Sequence, residues 1–351
     1  MTTPNPQLPI NNSRFMKACR LEPVDATPVW FMRQAGRYMP EYRKLREKYT
    51  LLEMVAQPEL AAEVTLQPIK AFKMDAAILF ADILLPLQPM GVDFEFVPGK
   101  GPQVQNPIRT AADVAALKPV ESAASLGHVM DAIRILRGEL TDIPLIGFCG
   151  APFTVASYMI EGGPSKDYKM AKSMMYNAPE VWHAFMEKLT TVLVDYLTAQ
   201  IDAGAQVVQL FDSWVGALNP QDYETFAMPY SKRVLDAAHA TGVPVIHFGV
   251  GATTLLPLMK KAGGDILGLD WRIPLDEGWD IIGHDRGVQG NLDPVTLFST
   301  PDLLEKRIKD ILRRADNRPG HIFNVGHGIL QHTPNENVKA VVEMVHEFSK
   351  R

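Results

Sequence analysis

Eight short apolar runs, each followed by a stretch of helical character, most tightly limit how this chain can fold. They occupy residues 29–32, 76–80, 144–148, 206–211, 243–248, 266–269, 288–290 and 321–325. The runs are continuously apolar rather than alternating, which is the pattern of strands covered on both faces. Strand-then-helix units repeated without a break in composition predict an α/β fold, a single (β/α)8 (TIM-type) barrel with additional helices, spanning residues 1–351. A doubly wound open sheet is the rival, weakened because no GxGxxG follows the first run.

Between the second and third runs, Val92 to Phe96 alternates with period two and 98–102 reads Pro-Gly-Lys-Gly-Pro, which predicts a hairpin insertion. Helices are expected over 51–71, with Pro58 near an internal start, over 126–140, and over 179–203, where Val181, Phe185, Leu189, Val192 and Tyr196 share a face. Asn219-Pro220 and Thr300-Pro301 mark helix starts, and Thr333-Pro334-Asn335-Glu336 reads as a capping box. Residues 1–12 are polar and Pro-rich and read as a flexible N-terminal segment.

The formal net charge of −5 means that attraction for an anionic ligand has to be local. No basic face or zinc-finger spacing supports nucleic-acid binding. Two cysteines, Cys19 and Cys149, rule out a disulfide framework and fit a reducing compartment. No signal peptide and no uninterrupted apolar run of membrane-spanning length is visible, so no membrane association and a cytoplasmic location are expected.

In a barrel of this kind the site lies where strands end and βα loops begin. The residues there are Arg33, Arg37, Asp82, Tyr158, Phe211, Ser213, His247, Asp270, Asn291 and His327. Arg33 and Arg37 follow the first run, with Gly36 between them and Arg43 and Arg46 beyond. Guanidinium forks pair bidentately with carboxylates, so the cluster suggests a ligand with several carboxylates. The alternative is a solvated helix start paired with Glu41 and Glu47. Asp82 follows a wholly apolar run and needs a partner, as an N-cap, in an ion pair with an arginine, or through ligand N–H groups. Tyr158 is either a core tyrosine or a contact, and Ser213 a helix cap or a contact. His327 sits between two glycines, where backbone and ring can approach a ligand closely. The glycine-rich run 249–254 lacks the Walker lysine spacing. HExxH, CxxC and His-x-His are missing, so no metal is expected.

Taken together, these motifs resemble the uroporphyrinogen decarboxylase family. The segment Pro28-Val29-Trp30-Phe31-Met32-Arg33-Gln34-Ala35-Gly36-Arg37-Tyr38-Met39-Pro40-Glu41-Tyr42-Arg43 is similar to the family's opening signature. The stretch from Gly147 to Thr154, continuing through Tyr158 to Glu161-Gly162-Gly163, is similar to a second, and 78–84 and 324–328 resemble two more. The resemblance runs from about Phe15 to the end and implies a (β/α)8 barrel.

It also implies a substrate, uroporphyrinogen III, whose four acetates lose CO2 to give coproporphyrinogen III, without a cofactor and in a homodimer. By the same resemblance Arg33, Arg37 and Arg46 hold substrate carboxylates, and Asp82 accepts pyrrole N–H groups. Tyr158, Ser213 and His327 make polar contacts, Ile78 and Phe211 shape the pocket, and Gln34, Ala35 and Gly36, within the signature, bind substrate as well. For the catalytic acid, Arg37, Tyr158 and Asp82 all stay open. A corrinoid-dependent methyltransferase of the same barrel would carry a His-x-Cys zinc motif, whereas this chain has His247-Phe248-Gly249. A non-catalytic tetrapyrrole carrier would need the arginines but not Asp82.

Overall fold

The computed structural model describes residues 8–351. Seven strands form one curled parallel sheet: β1 (Ala77–Ile78), β4 (Leu145–Gly150), β5 (Val207–Asp212), β6 (Val245–Gly249), β7 (Ile266–Gly268), β8 (Gly287–Gln289) and β9 (His321–Ile322), side by side in that order. A separate antiparallel ribbon pairs β2 (Phe94–Val97) with β3 (Gly101–Val104). Helices follow nearly every strand and cover the outer face of the sheet.

The strands are apolar throughout because both faces are buried. Residues such as Leu145, Val208, Leu210, Val245 and Leu267 pack outward against the helices. Ile146, Val207, Ile246, Ile266 and Ile322 pack inward, with Trp30, Met32 and Phe248. The inner layer also carries a polar chain: Trp30 Nε1 donates to Gln289 Oε1 at 2.9 Å, and Gln289 Nε2 to Gln209 Oε1 at 3.0 Å. The helix Arg14–Cys19 closes this layer at the end where the strands begin, contributing Phe15, Met16, Ala18 and Cys19.

The first apolar run does not form a strand. Residues 28–32 touch the sheet through a single parallel bridge, Val29 to Phe323. Side chains replace ladder bonds here: Asp75 Oδ2 takes the Val29 N–H at 2.8 Å, and Asn324 Oδ1 takes the Met32 N–H at 3.1 Å. The run 76–80 shortens to Ala77–Ile78 for a similar reason, because the Thr65 hydroxyl accepts the Phe80 N–H at 2.9 Å and the chain turns away.

The long helix Pro179–Ala203 has the expected bounds, and the stretch 51–71 divides at Pro58 into Leu51–Val55 and Pro58–Phe72. Asn219 caps its helix through Asp222 N–H. The capping box at Thr333 does not form. The last helix is Asn335–Phe348 with Pro334 at the cap, and the Thr333 hydroxyl instead donates to Leu330 O at 2.8 Å, closing the preceding turn. Of the N-terminal segment, residues 1–7 lie outside the described residues, while Leu8–Asn11 is one helical turn with Ile10 buried.

Candidate active site

A cleft of about 490 Å³ opens at the ends of the strands. Its wall brings together Arg33, Gln34, Ala35, Gly36, Arg37, Arg46, Ile78, Asp82, Tyr158, Phe211, Ser213 and His327, contributed by segments far apart in sequence. His247, Asp270 and Asn291 are not part of that wall. The His247 ring is buried in β6, and Asp270 pairs with Arg272 Nη1 at 2.6 Å. Asn291 Nδ2 donates to the backbone of Asp270 and Ile273. Asp270 also accepts the Gly251 N–H, so a carboxylate already occupies the glycine-rich run.

The floor is aromatic. Phe148, Phe211 and Phe248 stand on β4, β5 and β6, with ring centroids 5.4 and 6.1 Å apart and edge-to-face planes. That geometry suits the ring quadrupoles and leaves a stiff apolar surface. Phe148 and Phe248 escaped the sequence reading because an apolar residue in an apolar strand gives no sign of which face it takes. Tyr42, Phe80, Phe96 and residues 328–331 also line the cleft.

Arg33, Arg37 and Arg46 have no carboxylate within 4.0 Å among the described residues, so the pairing with Glu41 and Glu47 does not form. Arg46 Nη1 is anchored on Tyr49 O at 2.7 Å, and Arg43 Nη1 braces the loop by donating to Arg37 O and Tyr38 O. Arg33 takes a left-handed backbone, φ 59°, a conformation costly for a residue with a Cβ and usually held for a purpose. Its side chain lies across Gly328, where a Cβ would overlap Arg33 Cδ. Gln34 is a brace: its side chain accepts the Phe31 N–H and donates to Ala76 O, and its carbonyl accepts the Tyr38 hydroxyl.

Asp82 lies in the turn after β1. Its Oδ1 accepts the Leu84 N–H at 2.9 Å, and no cation lies within ion-pair distance among the described residues. Burial pushes its carboxyl up to about 6, against the pull of the Leu84 N–H and the more distant charge of Arg33. Tyr158, in the helix Pro152–Glu161, rests its ring on Trp214 at 3.7 Å between centroids. Burial, reinforced by the Asp82 charge, pushes its phenol well above the ordinary value.

Burial pushes His327 down to about 4, helped by Arg33 and Arg272. The ring is therefore neutral near pH 7. Its Nδ1 accepts the Gly328 N–H at 2.7 Å, which assigns the proton to Nε2. The Ser213 hydroxyl makes no capping bond; the next short helical turn, Val215–Ala217, has Trp214 at its cap. No group of three or more His, Cys, Asp or Glu side chains among the described residues is placed to hold a metal ion.

The sequence profile described as uroporphyrinogen decarboxylase (URO-D) matches residues 10–348. The chain belongs to the uroporphyrinogen decarboxylase family. Curated relatives named uroporphyrinogen decarboxylase agree with this placement. The Carboxydothermus hydrogenoformans protein is 56% identical over 96% of this chain and 97% of its own. The Sorangium cellulosum protein is 54% identical over 97% of each. Among solved structures, a methyltransferase from Methanosarcina mazei superposes with TM-score 0.81 over 95% of this chain and 98% of its own. At 22% identity that likeness speaks to the fold alone. The family placement is the reason to read the free arginines, Asp82 and the aromatic floor as one site.

Proposed function

We propose that this cleft binds uroporphyrinogen III and removes CO2 from its four acetate side chains, giving coproporphyrinogen III without a cofactor. The observation that carries the reading is the Asp82 carboxylate, half-buried beside an aromatic floor with no cation paired to it among the described residues, in a cleft lined by three arginines without a carboxylate partner. An octacarboxylate macrocycle has the complementary layout of an apolar ring, N–H donors at its centre and anions at its edge. Arg33, Arg37 and Arg46 take carboxylates, and Asp82 takes the pyrrole N–H groups. Tyr158, Ser213 and His327 make the remaining polar contacts, and Ile78 and Phe211 border the rings, with Gln34, Ala35 and Gly36 as wall.

An acetate on a pyrrole does not lose CO2 readily until the ring can accept the electron pair. Protonating the neighbouring ring carbon makes an iminium-like cation. The C–CO2 bond then breaks, its electrons neutralise the cation, and an exocyclic methylene remains. A proton added to that methylene and one lost from the ring carbon give the methyl group, with a net uptake of one proton per CO2 released. Asp82 stabilises the cation by a fixed negative charge in a poorly solvated site, the kind of pre-organised contact that lowers barriers most. Of the candidate proton donors, Tyr158 is weakened by its raised phenol value, and Asp82 serves the step in its charged form.

The finer architecture belongs to the same reading. Residues 28–32 form the eighth stave of a TIM-type barrel, supported by the Trp30 N–H and Pro28 carbonyl bonds to Phe323 on one side and the Asp75 N–H bond to Val29 on the other. The ribbon of β2 and β3 is an insertion at its rim, supported by the cleft contacts of Phe96, Gly101 and Pro102. A cytoplasmic homodimer is also part of it, supported by the two free, buried thiols and the family. No described helix is long and apolar enough to cross a membrane.

Incubating the purified protein with uroporphyrinogen III, with and without a chelator, and counting product carboxylates tests the function. Four fewer carboxylates in both arms are expected. No CO2 release would leave the carrier reading, and activity lost on chelation and restored by one metal would overturn cofactor independence.

A further inference from the structure

Asp212 is the buried acid for which the decarboxylation has no use. It closes β5, is fully buried, and points away from the barrel interior toward the covering helices. Its Oδ1 accepts the Thr154 hydroxyl proton at 2.9 Å, and the Ser231 hydroxyl lies beside the carboxyl, while Oδ2 makes no hydrogen bond of good geometry among the described residues. A half-satisfied buried carboxyl is costly, and an apolar side chain would fill the position with less penalty. Thr154 occupies the first turn of the helix that carries Tyr158, and its Oγ1 also accepts the Trp214 backbone N–H at 3.2 Å. The Trp214 ring lies against Tyr158 at 3.7 Å and meets Tyr168 edge-on at 5.2 Å. The same turn carries Ser213.

We propose that Asp212 and Thr154 are positioning residues for Tyr158: Asp212 orients the Thr154 hydroxyl, that hydroxyl fixes the Trp214 main chain, and the Trp214 ring sets the plane of the tyrosine. The proposal rests on the reading of Tyr158 as a substrate contact. Thr154 holds both ends of the relay with one oxygen, so a hydroxyl there is required while its methyl is not.

Thr154→Val keeps the shape and removes the oxygen; Thr154→Ser keeps the oxygen. The Trp214 contribution to fluorescence of the ligand-free protein is isolated by difference from Trp214→Phe. Thr154→Val is expected to shift that emission to the red and to lower kcat about tenfold with KM within about twofold. Thr154→Ser is expected to restore both. Unchanged emission in Thr154→Val, or an emission shift with full kcat, would overturn the relay while Tyr158→Phe still shows a defect. Wild-type kinetics in Tyr158→Phe would overturn the reading of Tyr158 and the relay with it.

Discussion

At the scale of single residues, Asp82 sets activity against stability. Its carboxyl sits near 6 in the folded chain, above the ordinary aspartate value, so folding favours the protonated form. That contribution is complete below about pH 4 and is lost as the pH rises through about 6. Above pH 6 the charge is held at a cost, and Asp82→Asn removes the cost while keeping an oxygen for Leu84. The asparagine variant is expected to be the more stable protein at pH 7.5, by up to about 2 kcal/mol in thermal or denaturant unfolding. Its kcat is expected to fall by roughly 10²–10³ with little loss of binding, because the charge serves the cation and not the neutral ring. Asp82→Glu should fall between asparagine and wild type, and equal activity in the two variants would remove the charge from the mechanism. The pH profile gives an independent check. Since the ionised form stabilises the cation, kcat/KM should decline below about pH 6, and that limb should be missing from Asp82→Asn. His327 titrates near 4, so it does not supply the limb. For Arg37, lysine keeps the charge and loses the fork, so Arg37→Lys is expected to lower kcat/KM at least about tenfold. Wild-type kinetics would return Arg37 to a solvated face.

At the scale of elements, the loop after β9 governs the arginine after the first apolar run. Gly328 is the space that Arg33 occupies, and its backbone needs no left-handed conformation, so the nearest atoms an alanine there meets are those of the arginine side chain. Gly328→Ala is expected to raise KM several-fold by turning Arg33 out of the cleft, with the melting temperature nearly unchanged; an unchanged KM would detach Arg33 from the substrate. This coupling was not legible in the sequence, because it joins residues almost three hundred positions apart and one of them has no side chain. What was legible followed from periodicity and from charge. The apolar runs located all seven sheet strands, and the helical face from Val181 to Tyr196 located the longest helix. Arg33, Arg37, Asp82 and His327 stood out as polar groups where strands end, and they converge on one cleft. Three things stayed hidden for physical reasons. Side chains such as Asp75 and Asn324 can take ladder bonds that a strand assignment gives to the backbone. The Thr333 hydroxyl was free to serve either of two turns. Gln34 reads as a polar site residue, although its hydrogen bonds all go to the wall that supports the site.

At the scale of the molecule, residues 14–29 and the last helix meet below the seam beside residues 28–32, and Asp75 ties them. Its Oδ2 accepts the Val29 N–H at 2.8 Å and lies 2.7 Å from His346 Nε2 in the last helix, while Oδ1 takes Arg14 Nη1 at 3.2 Å. Around it, the Thr27 N–H donates to Ser349 Oγ at 2.8 Å and the Arg351 N–H to Asp25 O at 2.9 Å. This is the face where strands begin, and in folds of the TIM type that face serves stability while the opposite one serves chemistry. Asp75 is largely buried, so removing its carboxylate leaves the Val29 N–H, the Arg14 guanidinium and the His346 ring without their acceptor. The first is a buried donor and carries the full penalty of an unmade bond; the others are partly wet and count for less. Asp75→Ala is therefore expected to cost about 2–4 kcal/mol of stability. Because the seam is at the opposite end of the sheet from the cleft, kcat and KM of the folded fraction should stay within about twofold of wild type. Denaturant unfolding and steady-state kinetics on the same preparation separate the two. A stability loss accompanied by a raised KM would mean that the seam helps to set the position of Arg33, only a few residues beyond Val29, and that the two ends of the sheet are mechanically coupled through residues 28–32.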